Sequence, residues 1–359
     1  MGGGSIAWAD TSFYGEALEL SGQLGLIFYL QNGNTQPSGT MTFTITPGNT
    51  THMLQNPTET RTETIDGANV TLYGYMCPVT SIEMADTITA TFTYDTDKTV
   101  TATKSVSSYL TDLAGNSKYT NYTNLQALVK AINAYGYYAQ QTLNYSNNHT
   151  AMTHNPSPAI KTTDISGTTQ VPAPNSPTLS TYAISVKDSS NNAVTGVSFA
   201  LDLDSNTALH ICLPSSIYPS GATASATVQK VTETTSGTIT RSAYGNAVDA
   251  TMTTDTETIS GTEYTVLSIS DIPAHEIDNK YTIEIKDSSN TKTHTIEISP
   301  LSYVYSVISK SDEQLNTDAE LGDTGTYTKA QNLKKAVIAF YNYYAKTIAY
   351  RTSNEYSVQ

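Results

Sequence analysis

A tyrosine-rich segment occurs twice in this chain, and that repeat constrains the fold more than any other feature. Residues 122–145 read YTNLQALVKAINAYGYYAQQTLNY, and residues 327–350 read YTKAQNLKKAVIAFYNYYAKTIAY. Aligned without a gap, the two segments are identical at ten positions. Apolar residues recur in steps of three and four, which is typical of an amphipathic helix. A duplicated unit of this kind predicts two similar modules.

The repeat extends back into β-type sequence. Residues 17–31 read ALELSGQLGLIFYLQ, and residues 200–214 read ALDLDSNTALHICLP, so both contain an acidic strand, a polar turn and an apolar strand. Alternation with a period of two, as at Leu26, Phe28 and Leu30, predicts strands with one buried face. Further strands are predicted at 41–46, 70–76, 87–94, 99–106, 281–286 and 293–299.

These patterns predict a duplicated β+α architecture, in which an all-β sandwich is followed by a small α-helical pair. Module 1 is expected at 6–145 (sandwich 6–104, helices 105–145), and module 2 at 179–359 (sandwich 179–299, helices 300–351). Residues 1–5, MGGGS, are expected to be an expression leader, and the proline-rich residues 146–178 a linker. Module 2 is also expected to contain an extra strand pair at 182–199 and an inserted β region at 215–265.

The helical parts can be predicted in more detail. First helices are expected at 105–113 and 300–308, with a loop at 309–326 before the second repeated helix. Thr123 and Thr328 each precede a glutamine by three residues, so both are expected to be N-caps. The predicted buried stripes are Leu128, Ile132, Tyr135, Ala139 and Leu143 in one copy and Leu333, Val337, Phe340, Tyr344 and Ile348 in the other.

Charge and composition exclude several partners. The net charge is −14, which disfavours nucleic acid and anionic membrane surfaces. No stretch of about 20 apolar residues is present, so no membrane insertion is expected. Cys77 and Cys212 fall at non-equivalent positions and are expected to be buried thiols rather than a disulfide or a zinc site.

Catalytic signatures are absent from the sequence, which contains no HExxH, G-x-S-x-G or P-loop motif. The acidic pair Asp95 and Asp97 is most simply a hairpin turn, and Asp202 and Asp204 lie at the end of a predicted strand. A glycosidase needs two carboxylates at a fixed separation, which sequence does not reveal. We expect a protein that is not an enzyme and that has no cofactor and no metal.

The segments ALELSGQLGLIFYL, TITATF and ALVKAINAYGYYAQ together resemble a module of surface proteins from gut anaerobic Firmicutes. Members of the starch adherence system, which are noncatalytic proteins of cell-surface amylosomes, contain such modules. The resemblance implies β-sandwiches followed by helices, an extracellular or cell-surface location and binding of α-glucan. It provides no binding motif that can be placed on residues of this chain.

Candidate binding residues are therefore chosen on chemical grounds. The chain has 25 tyrosines but only 6 phenylalanines and 1 tryptophan. A tyrosine ring can cover the apolar face of a sugar, while neighbouring amides and ammonium groups hold its hydroxyls. The candidates are Trp8, Tyr119, Asn121, Tyr122, Tyr137, Tyr138, Tyr327 and Tyr343.

Some of these residues have a purely structural alternative. Tyr122 and Tyr327 can instead pack before a helix as a hydrophobic staple. Tyr138 and Tyr343 can instead pack against the sandwich, and Trp8 can anchor an edge strand.

The function predicted from the sequence is binding of α-1,4-glucan, such as starch or maltooligosaccharides, through tyrosine stacking and hydrogen bonds. The alternative is a structural or adhesive surface protein without a glycan ligand, and a glycosidase is a third hypothesis. Any attachment to a larger cell-surface complex is expected to lie outside this chain.

Overall fold

β-Strands are the most abundant regular structure in the described residues. A computed structural model describes residues 11–20, 22–143, 148–203, 205–259 and 261–356. Its β-rich fold contains five antiparallel sheets and a few helices, which confirms the β-rich part of the prediction. The first eight strands are β1 (Ser12–Leu18), β2 (Gly25–Gln31), β3 (Gly39–Thr46), β4 (Thr50–Leu54), β5 (Glu59–Ile65), β6 (Ala68–Pro78), β7 (Thr87–Tyr94) and β8 (Lys98–Lys104).

These eight strands form two four-stranded sheets, with the orders β1-β2-β6-β5 and β4-β3-β7-β8. Alternate residues of β3 are buried, as the period-two pattern predicts. For β2 the expectation of one buried face is wrong, because residues 25–30 are all buried and Ile27 and Tyr29 pack with Val70 and Leu72 on the second face. Rings from the two sheets meet in the core: Phe28 lies 5.6 Å from Phe43, and Tyr75 lies 5.8 Å from Phe92, measured between centroids. Predicted strands in this region are confirmed, but β4 and β5 were not predicted.

The remaining strands form three sheets. They are β9 (Ser185–Asp188), β10 (Ser198–Leu203), β11 (Thr207–Pro214), β12 (Thr223–Gln229), β13 (Val231–Ser236), β14 (Thr238–Tyr244), β15 (Val248–Ala250), β16 (Thr253–Ile259), β17 (Thr262–Ile272), β18 (Lys280–Lys286) and β19 (Lys292–Ile298). Their orders are β10-β11-β17-β16, β15-β12-β18-β19-β9 and β13-β14. The predicted strand pair at 182–199 is confirmed only in part. Chain segment 186–194 folds back through one antiparallel bridge, Lys187 with Ala193, but β9 otherwise pairs with β19, and β10 pairs with β11.

Strand order is the same in two pairs of sheets. When strands are matched in chain order, the sheet β1-β2-β6-β5 corresponds to the sheet β10-β11-β17-β16. In the same way, β4-β3-β7-β8 corresponds to β15-β12-β18-β19, which has β9 as one additional outer strand. Only the β13–β14 hairpin and β9 lack a counterpart among the described strands.

Five α-helices accompany the sheets in the described residues. They are α1 (Val106–Gly115), α2 (Thr123–Thr142), α3 (Pro300–Ile308), α4 (Asp312–Asp318) and α5 (Thr328–Arg351), with short 3-10 helices at Ser117–Tyr119, Leu179–Tyr182 and Ala274–Glu276. The prediction for α3 is confirmed at both ends. The predicted loop at 309–326 is wrong in part because it contains α4, which Ser311 caps at Gln314 N. No helix among the described residues is both long and apolar enough to cross a membrane.

Helices α2 and α5 pack against each other in opposite directions along a line of aromatic rings. Tyr135 stacks on Tyr343 at 5.5 Å and also contacts Phe340 at 5.8 Å. The predicted stripe of α2 is buried except for Leu143, which is 51% exposed. Leu143 was wrongly placed in the stripe because α2 ends at Thr142 and Leu143 is only its C-cap.

Residues 148–178 are bound to the first eight strands and α2 by specific hydrogen bonds. Buried Asp86 accepts Thr150 N at 2.5 Å and contacts His149 Nδ1 at 2.7 Å. Gln140 donates to Thr150 O at 2.9 Å and accepts Met152 N at 2.8 Å. The segment also contributes six buried apolar residues, namely Met152, Ile160, Ile165, Val171, Ala173 and Pro174. Its proline content therefore does not keep it out of the core, while the predicted module boundaries stay a prediction.

Candidate functional site

The segment before α2 presents two tyrosine rings at the surface. Tyr119 ends a 3-10 helix, and its ring meets that of Tyr122 edge-on at 5.5 Å. Lys118 Nζ lies 5.2 Å from the centroid of the Tyr119 ring, which is a cation–π distance. Tyr122 is 38% exposed, and the neighbouring Asn121 is exposed. Three residues predicted to bind ligand, Tyr119, Asn121 and Tyr122, thus lie together.

The end of α5 adds two more rings to this cluster, the half-buried Tyr356 and, beneath it, the buried Tyr350. Tyr350 and Tyr356 meet edge-on at 5.4 Å, and the Arg351 guanidinium lies 5.6 Å from the Tyr356 ring centroid. Burial raises the pKa of Tyr350 to about 12, with smaller contributions from Tyr356, Glu355, Tyr119 and Tyr122. The four tyrosines are therefore close neighbours. We call Tyr119, Tyr122, Tyr350 and Tyr356 the aromatic platform.

Glu355 joins the two halves of the aromatic platform. Its carboxylate accepts the backbone N–H groups of Asn124 at 3.1 Å and Leu125 at 2.9 Å, and also side-chain donors of Thr123 and Asn124. The N–H groups of a first helical turn have no partner within the helix, and they favour a negative charge. Burial alone would raise the pKa of Glu355, but these hydrogen bonds outweigh it and hold the pKa below its ordinary value.

Both predicted N-caps are wrong by one residue. Thr123 and Thr328 are the first helical residues, and the N-caps are Tyr122 and Tyr327, neither of which forms a side-chain cap. Carboxylates outside the helices, Glu355 for α2 and Asp323 for α5, accept the N–H groups of the first turn. The threonine hydroxyls are therefore not needed as acceptors for these N–H groups. The capping-box pattern in the sequence identified the helix start but not the residue that caps it.

The other candidate tyrosines lie away from the aromatic platform. Tyr137 is half-buried and Tyr138 is buried, and their rings meet edge-on at 5.2 Å. They follow Tyr122 by 15 and 16 positions, which is about 23 Å along a helix axis. Tyr138 OH accepts Ile160 N at 2.9 Å, so it holds the 148–178 segment.

Tyr343 and Tyr327 of α5 also lie elsewhere. Tyr343 is 4% exposed, and burial raises its pKa well above the ordinary value. A ring so enclosed between the helices cannot cover a sugar, and the same holds for Tyr138. Tyr327 is a half-buried N-cap with φ +51°. Trp8 lies outside the described residues.

Tyr350, Tyr356 and Glu355 were not predicted from the sequence as members of this cluster. Tyr350 was read only as the last residue of the repeat, and nothing in the repeat marks residues 353–356. Their role depends on α5 running opposite to α2, which brings its end to the start of α2. The only local signal is a Glu-Tyr pair just beyond the helix.

The acidic pairs singled out in the sequence show no metal-binding arrangement in the described part of the chain. Within it, no group of three or more His, Cys, Asp or Glu side chains could hold a metal. Asp95 and Asp97 lie in the turn between β7 and β8, where Asp95 pairs with Lys98 at 3.4 Å, as the turn prediction requires. Asp202 lies in β10, and Asp204 is outside the described residues.

Comparison with protein-family models found no match to this chain, and comparison with curated proteins found none either.

Proposed function

We propose that this chain is a noncatalytic, extracellular carbohydrate-binding protein that holds an α-1,4-glucan on its aromatic platform. The observation that carries the proposal is the clustering of Tyr119, Tyr122 and Tyr356, each at least partly exposed, around one carboxylate. Surface tyrosines in such a cluster leave apolar ring faces next to water. A sugar ring, with an apolar C–H face and polar edges, matches that combination.

The polar neighbours are suited to sugar hydroxyls. Lys118 and Asn121 stand beside Tyr119 and Tyr122, whereas Arg351, beside Tyr356, is buried and paired with Glu233 at 2.8 Å. An ammonium group donates hydrogen bonds, and an amide both donates and accepts them. The proposed complex therefore combines stacking on Tyr122 with hydrogen bonds at the rim of the aromatic platform.

The fold proposed for this function is a pair of duplicated β-sandwich modules, each followed by helices. Matching strand orders and the rings that meet between the first two sheets support this architecture. Sequence adds support: residues 61–72 read RTETIDGANVTL and residues 255–266 read DTETISGTEYTV, on the hairpins β5–β6 and β16–β17.

One binding site per chain is proposed, because the second copy lacks most of the aromatic platform. On the alignment of the two helical segments, Tyr119 corresponds to Thr324 and Asn121 to Thr326. Tyr122 has a tyrosine counterpart, Tyr327, which is half-buried, and Tyr350 aligns with Tyr145, which lies outside the described residues. Simultaneous binding by two equivalent modules, which would strengthen attachment to a polymer, is thus not part of this proposal.

Native gels cast with amylopectin test the proposal, together with calorimetric titration of maltoheptaose. We expect retarded migration and one site per chain. Tyr122→Ala should weaken binding about tenfold, which is the size of one lost aromatic contact, and should leave thermal stability nearly unchanged. Tyr14→Ala is the matched control, since Tyr14 is 46% exposed on β1 and outside the aromatic platform.

Three results would contradict the proposal. Unchanged mobility of the wild-type chain in amylopectin and in gels of other glucans would favour a structural or adhesive protein. Equal loss of binding in Tyr14→Ala and Tyr122→Ala would move the site elsewhere. Release of reducing sugar from soluble starch would show an enzyme.

A further inference from the structure

A second surface feature, unrelated to the aromatic platform, is an apolar cavity beside α2. It has a volume of about 530 Å³ and lies between α1, α2, α5 and residues 154–164. Its apolar lining consists of Leu110, Ala114, Ala127, Val129, Ala131, Ala134, Pro156, Pro158 and Ile160. This volume is in the range of small-molecule sites. The many alanines explain the space, because each leaves room that a larger residue would fill.

The wall opposite α2 is held in place by two hydrogen bonds. Asn133 Nδ2 donates to His154 O at 2.9 Å, and Ile160 N donates to Tyr138 OH at 2.9 Å. Both anchors lie on α2, so the intervening prolines are held across from the small residues of that helix. The cavity is therefore a product of how the 148–178 segment is attached, and it does not depend on a ligand to form.

The rim of the cavity has an excess of positive charge. Lys130 of α2, Lys346 of α5 and His154 line it, with Asp164 as the one acidic lining residue. Asp164 is already engaged, because its carboxylate accepts Lys161 N at 2.8 Å. In the part of the chain that the structure describes, neither Lys130 nor Lys346 forms an ion pair, whereas Lys104, Lys230 and Lys334 do. Two unpaired lysines at one opening stand out in a chain of net charge −14.

We propose that this cavity binds an aliphatic carboxylate, with the hydrocarbon chain inside and the carboxylate at Lys130 and Lys346. The lining has no aromatic side chain, which disfavours a stacked sugar and suits a flexible chain. The charge of the rim selects an anionic head group over a neutral one. This site does not depend on the glycan proposal, since it shares no lining residue with the aromatic platform.

Titration calorimetry with octanoate, decanoate and dodecanoate, each below its micelle concentration, tests the proposal. We expect saturable binding that tightens about fourfold for each added methylene until the cavity is filled. Decanol should bind more weakly than decanoate, and added salt should reduce the difference.

Two kinds of variant distinguish the binding contribution of the hydrocarbon chain from that of the carboxylate. Ala127→Trp fills the cavity from a half-buried position and should abolish binding of both decanoate and decanol. Its control is Asn332→Trp at the aligned position of α5. Joint replacement Lys130→Gln and Lys346→Gln should weaken decanoate about fivefold and leave decanol unchanged. Lys335→Gln, aligned with Lys130, should change neither.

The proposal is overturned if the folded wild-type chain shows no saturable binding of decanoate, or if Ala127→Trp binds it normally. Equal affinity for decanol and decanoate would overturn the assignment of a carboxylate. Thermal melting of each variant confirms that the tested chain is folded.

Discussion

The two long helices, α2 and α5, start with the same Tyr-Thr sequence but are capped from very different places. In α2, Leu125 N donates to Glu355, which lies 230 residues later in the chain. In α5, Lys329 N donates to Asp323 Oδ2 at 2.6 Å, only six residues earlier. Exposed first-turn amides need an acceptor, but its place in the sequence is free to vary. One helix start thus depends on the whole fold, and the other only on its own loop.

The two helices also differ in how their later turns are attached. Tyr344 of α5 donates its hydroxyl to buried Asp278 at 3.0 Å, and the aligned residue of α2 is Ala139. Gln140 of α2 binds the 148–178 segment, and the aligned residue of α5 is Ala345. Each helix thus has a polar attachment that its counterpart lacks. Substitutions at these positions test how much each difference contributes to stability, and they are given in descending order of effect.

Asp278→Ala should have the largest effect. Asp278 is buried beside Arg241, whose Nη2 lies 3.0 Å from Asp278 Oδ1. Burial raises the pKa of Asp278, with Arg241 and Tyr344 acting in the opposite direction. Removing the carboxylate takes one anionic partner away from the buried Arg241 guanidinium, which should cost about 3 kcal/mol of unfolding free energy. Urea denaturation measures the change.

A double-mutant cycle identifies the source of that loss. In an Arg241→Met background, Asp278→Ala should cost clearly less, because no buried cation then remains unpaired. Asp97→Ala, in an exposed turn, is the control and should leave stability unchanged. A loss below about 1 kcal/mol for Asp278→Ala alone would mean that Glu233, 3.3 Å from Arg241 Nε, is the main partner.

Gln140→Ala tests the attachment that is specific to α2. The amide makes three hydrogen bonds, to Ile82 O, to Thr150 O and from Met152 N. Its loss should cost about 2 kcal/mol, since the freed groups include buried ones. Hydrogen exchange at Met152 should accelerate while exchange in α5 does not. Gln141→Ala, one residue further and exposed, should change neither, and faster exchange throughout the chain would show a global effect instead.

Local sequence patterns predicted helices and strands well where the determining residues lie close together in the chain. The start of α3 follows from Ser299 and Pro300, which are adjacent in sequence, and β7 follows from eight alternating residues. Leu143 was misplaced because the end of a helix leaves little trace in a periodic pattern. Within the aromatic platform, Tyr119 and Tyr122 were predicted because they lie in one short segment.

Residues that act through distant contacts were not predictable in the same way. Glu355 and Tyr356 reach the start of α2 only through the antiparallel packing of α2 and α5. The cavity lining combines α1, α2, α5 and a segment whose composition indicated a linker. One signal was available but missed: the TETI sequence at 62–65 recurs at 256–259, inside a region read as an insertion.

Glu355→Gln and Asp323→Ala compare the two helix starts directly. Each should cost about 1 kcal/mol of unfolding free energy, the usual value of an N-terminal cap, and less where solvent screens the charge. Only Glu355→Gln should also weaken glycan binding, because the same contact positions Tyr356 in the aromatic platform. Reduced glycan binding in Asp323→Ala as well would contradict this distinction.

The contribution of Glu355 should also depend on pH. Its pKa is lowered in the folded state, so its stabilising effect is complete above the unfolded value of about 4.3. As the pH falls below that value and through the lowered folded-state pKa, the effect is lost. The stability difference between wild type and Glu355→Gln should therefore be constant from about pH 6 to 7 and vanish in acid. A difference that grows in acid would contradict the assigned role.

The smallest expected effect concerns the backbone of the two N-caps. Tyr327 has φ +51°, a left-handed conformation that costs a non-glycine residue about 1 kcal/mol, whereas Tyr122 has φ −88°. Comparing glycine with alanine at each position cancels the loss of the ring. Glycine should be favoured over alanine by about 1 kcal/mol more at 327 than at 122. Thermal melting of the four variants measures this difference, and equal preferences would show that α5 can start without the left-handed residue.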